Sequence, residues 1–497
     1  MKLGAAMKQS TILIFLAIVS SGCAWAQAIP TGTSLPPAVI QIASPIPSQI
    51  PSTETKKPVE QENQRTPTQY DLDVLFDYSE HNLKVREKIT YTNNSNDPLT
   101  ELQLVVDAFR SGASFSFSDL RAIDETEIGE YELSEGILHI PLLNSLNSRE
   151  AIQIEIRYEL VLPAGAGTLS WTDRQANLID WYPYLPPYIE GQGWLVHTPA
   201  AVGEYSVFES SNFNVHLEIV NAPASLQIAA PAPVNTSMTP AVLGGTTFDY
   251  VLYNARRFIW SASGQYEVLD TQFEDIPISI YYFNEHRDAA EASLETARQA
   301  LEIYSELYSP FPYESLAIVD AQFYDGLESD GIFFLDQSYF LQYNYSPRNY
   351  LTTLTAHEVA HNWWFGQTGN DQALEPWLDE ALCIYSELLY YDDAYPEMTD
   401  WWWQFRIDRF RPVGLVNSSI YNHSSFDSYV QAVYMRGAQF LQNLRNAVGD
   451  SAFFAFLRGY SADGAGKIFV ADDFFNYIRD YSSVNLDLIK AEFFSSQ

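Results

Sequence analysis

The stretch Leu354-Thr-Ala-His357-Glu358-Val-Ala-His361-Asn-Trp-Trp-Phe365 decides the fold of the second half of the chain. It contains no helix breaker before Gly366, and Ser346 with Pro347 offers a helix N-cap and a first-turn proline upstream. The stretch is therefore predicted to be helical. Residues four apart lie one turn apart on the same face of an α-helix, so His357 and His361 share a face.

This spacing has a chemical meaning, because two imidazoles one turn apart can both bind one zinc ion at about 2.0–2.1 Å. Glu358 lies about 100° round the same helix, where it can act on a water molecule instead of binding the metal. A zinc enzyme of this type needs a third protein ligand. Glu380 follows His361 after eighteen residues, in a second predicted helix that has room to turn back. The spacing therefore predicts a zinc site, with Glu380 as the candidate third ligand.

The pattern His357-Glu358-x-x-His361, eighteen residues, then Glu380 resembles the aminopeptidase N and leukotriene hydrolase family of gluzincin zinc peptidases. Three flanking segments look like the bacterial branch in particular: Trp364-Phe365, Gly369-Asn-Asp371 and Pro376-Trp-Leu-Asp-Glu380. The resemblance implies that His357, His361 and Glu380 bind one zinc ion and that Glu358 is the general base. It also implies peptide substrates and a thermolysin-like α+β catalytic domain over residues 269–497 that ends in helices.

Two further site residues follow from the resemblance. The family has a Gly-x-Met-Glu-Asn edge strand, whose Glu binds the free N-terminal amine of the substrate. The aligned residues here are Asp325-Gly-Leu-Glu328-Ser329, in which the Glu is kept and the first Gly, the Met and the Asn are not. Tyr434-Met-Arg-Gly437-Ala438 resembles a Tyr-x-Lys-Gly-Ala segment, whose phenol donates a hydrogen bond to the oxyanion. Glu328 is thus the expected amine-binding residue, and Tyr434 is the expected oxyanion donor.

Together these residues imply a zinc-dependent aminopeptidase, which hydrolyses N-terminal residues from peptides. A zinc endopeptidase of the same chemistry stays open as an alternative, since the segment around Glu328 is altered. A catalytically inactive relative that only binds ligands and an epoxide hydrolase are further alternatives. About 117 residues follow Glu380, so the expectation is a short form without the large C-terminal helical domain of longer relatives, and with a more open cleft. The expected helices after Glu380 are 396–411, 431–448, 450–460 and 470–480.

The sequence before the catalytic domain has the residue pattern of β-strands. Short segments alternate apolar and polar residues, and no helical segments separate them: 70–76, 83–91, 102–106, 152–158 and 213–219. This pattern is typical of an antiparallel β-sandwich, which we predict over 67–268. Beyond Asp270 the pattern becomes mixed, with predicted strands at 278–283 and 315–319 on either side of a helix at 287–308.

The N-terminus reads as an export signal. Lys2 and Lys8 precede the apolar run 12–19, which at eight residues is too short to span a bilayer as a helix. Two cleavage sites compete within residues 1–26. Ser20-Ser21-Gly22-Cys23 resembles an imperfect lipobox, which would lipidate Cys23 and anchor the protein to a membrane, whereas Ala24-Trp25-Ala26 would release a soluble secreted chain. Residues 27–66 are rich in Pro, Ser, Thr and Gln and are predicted to be a linker.

Composition excludes several classes of protein. The chain has 497 residues, with 27 Lys plus Arg against 63 Asp plus Glu and a formal net charge of −36. Its 46% hydrophobic and 14% aromatic residues exclude a disordered chain. The acidity excludes nucleic acid as a partner, because phosphate binding requires Lys and Arg in excess. The chain has two cysteines, Cys23 and Cys383, and Cys23 lies in the predicted signal. A disulfide scaffold is therefore excluded.

Overall fold

The computed structural model describes residues 65–124, 126–235, 245–323 and 325–495. The predicted signal (1–26), both of its cleavage sites and all but the last two residues of the predicted linker lie outside the described residues. Residues 64–497 form one compact unit. Among the described residues no helix has both the length and the apolar character that a membrane span requires.

The first half of the described chain is made of strands, which alternate buried and exposed residues as predicted. They are β1 (Thr68–Asp77), β2 (Asn82–Thr92), β3 (Leu99–Val105), β4 (Ser114–Ala122), β5 (Glu132–Ser134), β6 (Ile137–Leu146), β7 (Ala151–Val161), β8 (Leu169–Trp171), β9 (Ala176–Leu178), β10 (Tyr188–Ile189), β11 (Gly193–Trp194), β12 (Ser211–Val220), β13 (Gln227–Ala229), β14 (Thr246–Ala255) and β15 (Trp260–Ser263). The largest sheet has the order β14-β12-β1-β2-β7-β4, and smaller sheets have the orders β13-β15-β9-β8, β3-β6-β5 and β10-β11. Pairing is antiparallel apart from β1 with β12, which is parallel. The predicted antiparallel β-sandwich is confirmed.

A mixed five-stranded sheet opens the second half. Its strands are β16 (Tyr266–Phe273), β17 (Ile276–Phe283), β18 (Leu316–Ala321), β19 (Gly326–Leu327) and β20 (Ile332–Asp336), in the order β16-β17-β18-β20-β19. The predicted domain boundary at 268/269 falls inside β16, so this sheet begins within the last residues assigned to the first domain. β19 is the edge strand and pairs antiparallel with β20. The position of β19 matters for the site described below.

The rest of the second half is mostly helical. The helices of the described chain, including one short helix in the first half, are α1 (Asp107–Arg110), α2 (Arg287–Leu307), α3 (Gln337–Leu341), α4 (Tyr350–Ala360), α5 (Trp377–Ala394), α6 (Thr399–Trp402), α7 (Phe426–Tyr429), α8 (Arg436–Val448), α9 (Asp450–Asp463), α10 (Ala471–Tyr481) and α11 (Asp487–Phe493). Two π-helical segments, Trp403–Ile407 and Val430–Met435, directly follow α6 and α7. Short 3₁₀ segments lie at Asn284–His286, Pro396–Met398, Asp408–Phe410 and Ile420–Asn422, and β21 (Thr368–Gly369) pairs with β22 (Lys467–Ile468). The predicted α+β region ending in helices is confirmed, whereas the single predicted helix 396–411 is divided into several segments.

The helix that carries the histidines is shorter than predicted at both ends. Its N-cap is Asn349, whose side chain accepts a hydrogen bond from the Thr352 amide at 2.9 Å, and the predicted cap at Ser346 is wrong. At the other end α4 stops at Ala360, before the predicted break at Gly366. The carbonyls of Phe365 and Gly366 instead accept hydrogen bonds from the buried Arg256 guanidinium, at 2.5 and 3.1 Å. A side chain from the first half of the chain thus satisfies the backbone that follows the helix.

Candidate active site

Three side chains from α4, its C-cap and α5 converge at one point. The Oε2 atom of Glu380 lies 3.3 Å from His357 Nε2 and 3.6 Å from His361 Nε2. The two imidazole centroids are 4.9 Å apart. His361 keeps helical backbone angles although it is the C-cap residue, so it stays one turn from His357. The structure therefore brings the three predicted ligands together.

The Nδ1 atom of each imidazole lies within hydrogen-bond distance of another group. His357 Nδ1 lies 2.9 Å from Glu387 Oε1, and His361 Nδ1 lies 3.1 Å from the Trp364 carbonyl oxygen. When a metal is bound, these partners would keep the proton of each ring on Nδ1 and leave the Nε2 lone pairs for the metal. Two neutral imidazoles and one carboxylate are the donor set that zinc prefers in hydrolytic enzymes. The residues present fit a zinc ion.

Other groupings of potential ligands fit a metal less well. Ligand atoms of His357, His361 and Cys383 lie within 4.8 Å of one another. However, Cys383 Sγ lies 3.9 Å from the Trp364 carbonyl that binds His361 Nδ1, so the thiol is on the side of that ring away from Nε2. Cys383 is buried, and burial raises the pKa of its thiol well above the usual value, which keeps it protonated. This cysteine is a buried neutral thiol.

Glu358 lies next to the three ligands and is set apart by its lack of partners. Its Oε2 atom is buried and has no hydrogen-bond partner among the described residues. Burial raises the pKa of Glu358 well above its usual range, with the charges of Glu328 and Glu380 adding to the rise and that of His357 opposing it. A buried carboxyl without a partner is costly unless a ligand or water completes it. The position is that of a group that acts on a bound molecule.

Without a metal, the ligand cluster itself holds a proton. Burial disfavours the His357 cation, but hydrogen bonds to Glu380 and Glu387 outweigh this and raise the pKa of His357 to about 10. Burial lowers the pKa of His361 to about 4. Metal binding must therefore displace a proton from the pair, so metal affinity falls as the pH falls.

Glu328 follows the edge strand β19 and lines one cavity together with His357, Glu358 and His361. One of its carboxylate oxygens accepts a hydrogen bond from Gln372 Nε2 at 3.2 Å, and its backbone carbonyl accepts one from Arg257 Nη2 at 2.7 Å. Carboxylate oxygens of Glu328 and Glu358 and a ring nitrogen of His361 lie within 4.8 Å of one another. The structure therefore places the predicted amine-binding residue beside the predicted base.

A second acid faces Glu328 from the first half of the chain. Glu204 lies on the loop between β11 and β12, with Oε1 3.8 Å from Arg257 Nη2. Burial and the nearby charge of Glu328 raise the pKa of Glu204 to about 8, although the Arg257 charge opposes this. The loop approaches closely because Gly203 has a φ of +74°, and a Cβ there would lie 2.5 Å from Ile420 Cγ2. Glu204 is therefore protonated at neutral pH, and a substrate ammonium could replace that proton.

Tyr434 lies in the π-helical segment Val430–Met435. Its ring stacks on that of His357, with centroids 6.0 Å apart and an interplanar angle of 9°. Burial, followed by the charge of Glu380, raises the pKa of Tyr434 well above its usual value. The phenol is therefore protonated and can donate a hydrogen bond into the cavity.

The six predicted site residues line one cavity of about 360 Å³. Other residues that line the cavity are not among the predicted site residues: Asp325, Gly326, Tyr339, Tyr350, Leu354, Arg406, Phe410, Phe426, Asp427, Val430 and Met435. Sequence reasoning missed Glu387, Arg406 and Glu204. Glu387 carries a usable signal, since it lies seven residues after Glu380 and thus on the same face of α5, whereas Arg406 and Glu204 carry none because only the tertiary fold brings them near.

Comparison with known proteins agrees with this geometry. Residues 292–493 match the Peptidase family M1 domain. Aminopeptidase N of Lactobacillus helveticus is 27% identical over 225 residues, which cover 40% of this chain, and the chain spans 26% of the length of that relative. The M1 zinc metallopeptidase from Deinococcus radiodurans has the same fold, with a TM-score of 0.60, 17% identity, and coverage of 87% of this chain and 94% of that one. A mutant of that protein gives a TM-score of 0.59 at 16% identity, covering 85% and 93%. Residues 292–493 are thus similar to the peptidase family M1 domain, and the fold is that of the M1 zinc metallopeptidase structure.

Proposed function

We propose that this protein is a zinc-dependent peptidase and, more specifically, an aminopeptidase. The observation that carries the proposal is the convergence of His357, His361 and Glu380 next to the unpartnered carboxyl of Glu358. The match of residues 292–493 to the peptidase family M1 domain supports the peptidase reaction, and the similarity to an aminopeptidase N supports the finer assignment.

Glu358 is the proton carrier of the proposed reaction. A zinc ion held by His357, His361 and Glu380 would polarise the scissile carbonyl and lower the pKa of water towards about 7. Glu358 accepts a proton from the attacking water through its free Oε2 atom. It then gives this proton to the nitrogen of the leaving amine. Its burial favours the protonated form, which suits the second transfer.

Tyr434 stabilises the charge that develops on the substrate. The carbonyl oxygen becomes negative when water adds to the carbonyl carbon, and a preorganised donor in a site that excludes water stabilises this charge strongly. Tyr434 is fixed by its stacking on His357 and stays protonated because it is buried near Glu380. Its hydroxyl is hydrogen-bonded to Glu380 in the metal-free site and would turn from that carboxylate to donate to the oxyanion.

The aminopeptidase assignment rests on Glu328 and Glu204. An N-terminal ammonium near these two acids would be held by Glu328 and would favour ionisation of Glu204. Carboxylate oxygens of Glu328 and Glu358 and a ring nitrogen of His361 lie within 4.8 Å of one another. Only one substrate residue therefore fits between the bound amine and the scissile bond. A substrate with a blocked N-terminus would bring no charge to this acidic pair.

The proposal is tested by hydrolysis of aminoacyl-anilides with free and with acetylated N-termini, before and after treatment with a chelator. We expect turnover of the free substrate alone, loss of turnover with the chelator, and recovery when zinc is added back. Glu358→Gln keeps the size of the side chain but cannot carry the proton, so kcat should fall by at least about 10³-fold while zinc is still bound.

Different results would contradict different parts of the proposal. Turnover that resists the chelator, or full activity of Glu358→Gln, would exclude the zinc mechanism. Equal turnover of free and acetylated substrates would exclude the amine-binding role of Glu328 and Glu204 and indicate an endopeptidase.

A further inference from the structure

An acid that the proposed reaction does not use lines the same cavity as Glu328 and Glu358. This acid is Asp325, and Tyr339, Tyr350 and Leu354 line the same cavity. We propose that Asp325 selects peptides whose second residue is Lys or Arg, by binding the cationic side chain that follows the scissile bond. This inference rests on the proposed aminopeptidase function and names its substrate class.

The order of groups along β19 gives the position of that side chain. β19 is the edge strand of its sheet, and an extended peptide can pair with such an edge. Glu328 at one end holds the amine in the proposed function. Gly326 lies against the base, since a Cβ at this position would be 2.0 Å from Glu358 Oε1. The scissile bond therefore lies at Gly326, and the residue after it lies next to Asp325.

The spacing along the strand agrees with this order. Asp325 and Glu328 flank the two residues of β19, so their Cα atoms are at most about 10 Å apart. Two extended residues span about 7 Å, so this separation leaves room for the first substrate residue and for the side chain of the second. A substrate with its amine at Glu328 runs antiparallel to β19, which is a regular arrangement for strand addition.

The carboxylate of Asp325 is held by one hydrogen bond, and the charge of Arg406 acts on it without an ion pair among the described residues. Tyr339 donates its hydroxyl hydrogen to Asp325 Oδ1 at 2.5 Å. Arg406 lines the same cavity, but Glu387 binds its Nε and Nη2 atoms at 2.7 and 2.6 Å. Among the described residues Asp325 forms no ion pair, and its side chain is only half-buried. A substrate cation would thus meet an oriented, accessible carboxylate.

The surroundings of Asp325 also suit a long basic side chain. Tyr350 already faces a cation, with its ring centroid 5.9 Å from Arg406 Cζ. Aromatic faces attract cations, and the stems of Lys and Arg pack well on apolar surface such as Leu354. Asp427 adds a second negative charge to the cavity. An acidic second residue would be repelled by the same groups.

The backbone of Asp325 provides a competing structural explanation. Its φ is +71°, in the left-handed region that Asp and Asn tolerate better than most residues. The position aligns with the first Gly of the family segment, so Asp325 could serve only to form this turn. An experiment must therefore separate the charge of the side chain from the conformation of the backbone.

The test measures kcat/KM for the peptides Ala-Lys-Ala, Ala-Gln-Ala and Ala-Glu-Ala. For the zinc-loaded protein we expect the order Lys, Gln, Glu, with Lys preferred over Gln by roughly 10-fold. Asp325→Asn keeps the turn and an acceptor for Tyr339, and Asp325→Gly removes the side chain and relaxes the backbone. Both variants should bring the Lys-to-Gln ratio to within about twofold of unity, since both lack the charge. Asp275→Asn, in the exposed turn between β16 and β17, makes the same change in net charge and should keep the preference.

The possible results separate this inference from the proposed function. Equal rates for the three peptides in the unaltered protein, or an equal loss for all three in Asp325→Asn, would overturn the selectivity and assign Asp325 to the turn. Cleavage of Ala-Gln-Ala establishes the peptidase reaction independently of this preference. Absence of any cleavage would overturn both.

Discussion

At the scale of single residues, Glu87 is the most unusual buried group outside the site. It lies in β2, its side chain is fully buried, and neither carboxylate oxygen has a partner among the described residues. Burial raises the pKa of Glu87 well above its usual value. The folded state therefore holds a proton that the unfolded chain releases above its own pKa of about 4.3, so this residue lowers stability as the pH rises from there.

Glu87→Gln removes this titration and keeps the size of the side chain. We expect the variant to be more stable than the parent at pH 7.5 by about 1–3 kcal/mol and equally stable near pH 4, where Glu87 is protonated in both states. Denaturant unfolding at the two pH values measures the difference. Glu132→Gln, on the exposed face of β5, should show no such pH dependence. A gain for Glu87→Gln that is the same at both pH values would contradict the explanation.

Glu387 is the residue that fixes His357. Its fully buried carboxylate binds His357 Nδ1 and accepts hydrogen bonds from Trp402 Nε1 at 3.0 Å and from the Arg406 guanidinium. The charge of Arg406 and the bond to His357 lower the pKa of Glu387 in spite of its burial. A carboxylate in this position orients the imidazole and makes it a better metal ligand.

Glu387→Gln should therefore weaken zinc binding by about 10–100-fold, measured by competition with a chelator of known affinity. Asp320→Asn is the matched control, because Asp320 is also buried and lies 2.6 Å from His286 Nδ1, away from the cavity. Asp320→Asn should keep its zinc affinity even where it lowers stability, so thermal unfolding of both zinc-free variants is measured alongside. Unchanged zinc affinity in Glu387→Gln would show that Glu387 only supports the core.

At the scale of elements, the close approach of β19 to α4 controls the base. A Cβ on Gly326 would lie 2.0 Å from Glu358 Oε1 and 2.8 Å from its Cδ. Gly326→Ala should displace the carboxyl of Glu358 and lower kcat by roughly 10²-fold with zinc content unchanged. The control is Gly167→Ala, whose Cβ would meet Ser170 Oγ at 3.2 Å in the first half of the chain. Normal kcat in Gly326→Ala would show that Glu358 has room to move.

The sequence predicts most of the elements but few of their ends. The period of the apolar residues predicts α2 as 287–308 and the structure has Arg287–Leu307, because a long amphipathic face is a local property. The predicted start of α4 was wrong because Asn349, and not Ser346, caps the helix. The Asn349 side chain accepts a hydrogen bond from the Thr352 amide. The segment after α4 is bound by Arg256, which is distant in sequence and carries no local signal.

At the scale of the whole molecule, the two halves of the chain build the site together. The zinc site could be predicted from the spacing of His357, His361 and Glu380, because two helices that are adjacent in sequence carry all three residues. The position of Glu204 near the site could not be predicted from the sequence, since this residue lies on a loop between strands of the first half. Chemistry held on neighbouring elements is thus predictable from spacing, whereas contacts between the halves depend on how they pack.

The acidic chain is predicted to be exported, and we propose that Cys23 anchors it to a membrane. The full chain expressed in a bacterium that processes lipoproteins should appear in the membrane fraction. Cys23→Ser should move it to the soluble exported fraction while peptidase activity is kept. A parent protein that is itself soluble after export would favour cleavage at Ala24-Trp25-Ala26.

The π-helical segment Val430–Met435 has a consequence for how this site could have arisen. A π-helical turn holds one residue more than an α-helical turn, and it commonly marks a single insertion into an older α-helix. Removing one residue there would restore the α-helical repeat and turn Tyr434 by about 100° relative to α8. Relatives that differ in length by one residue at this point should therefore differ in whether their tyrosine reaches the histidines, even where every site residue is the same.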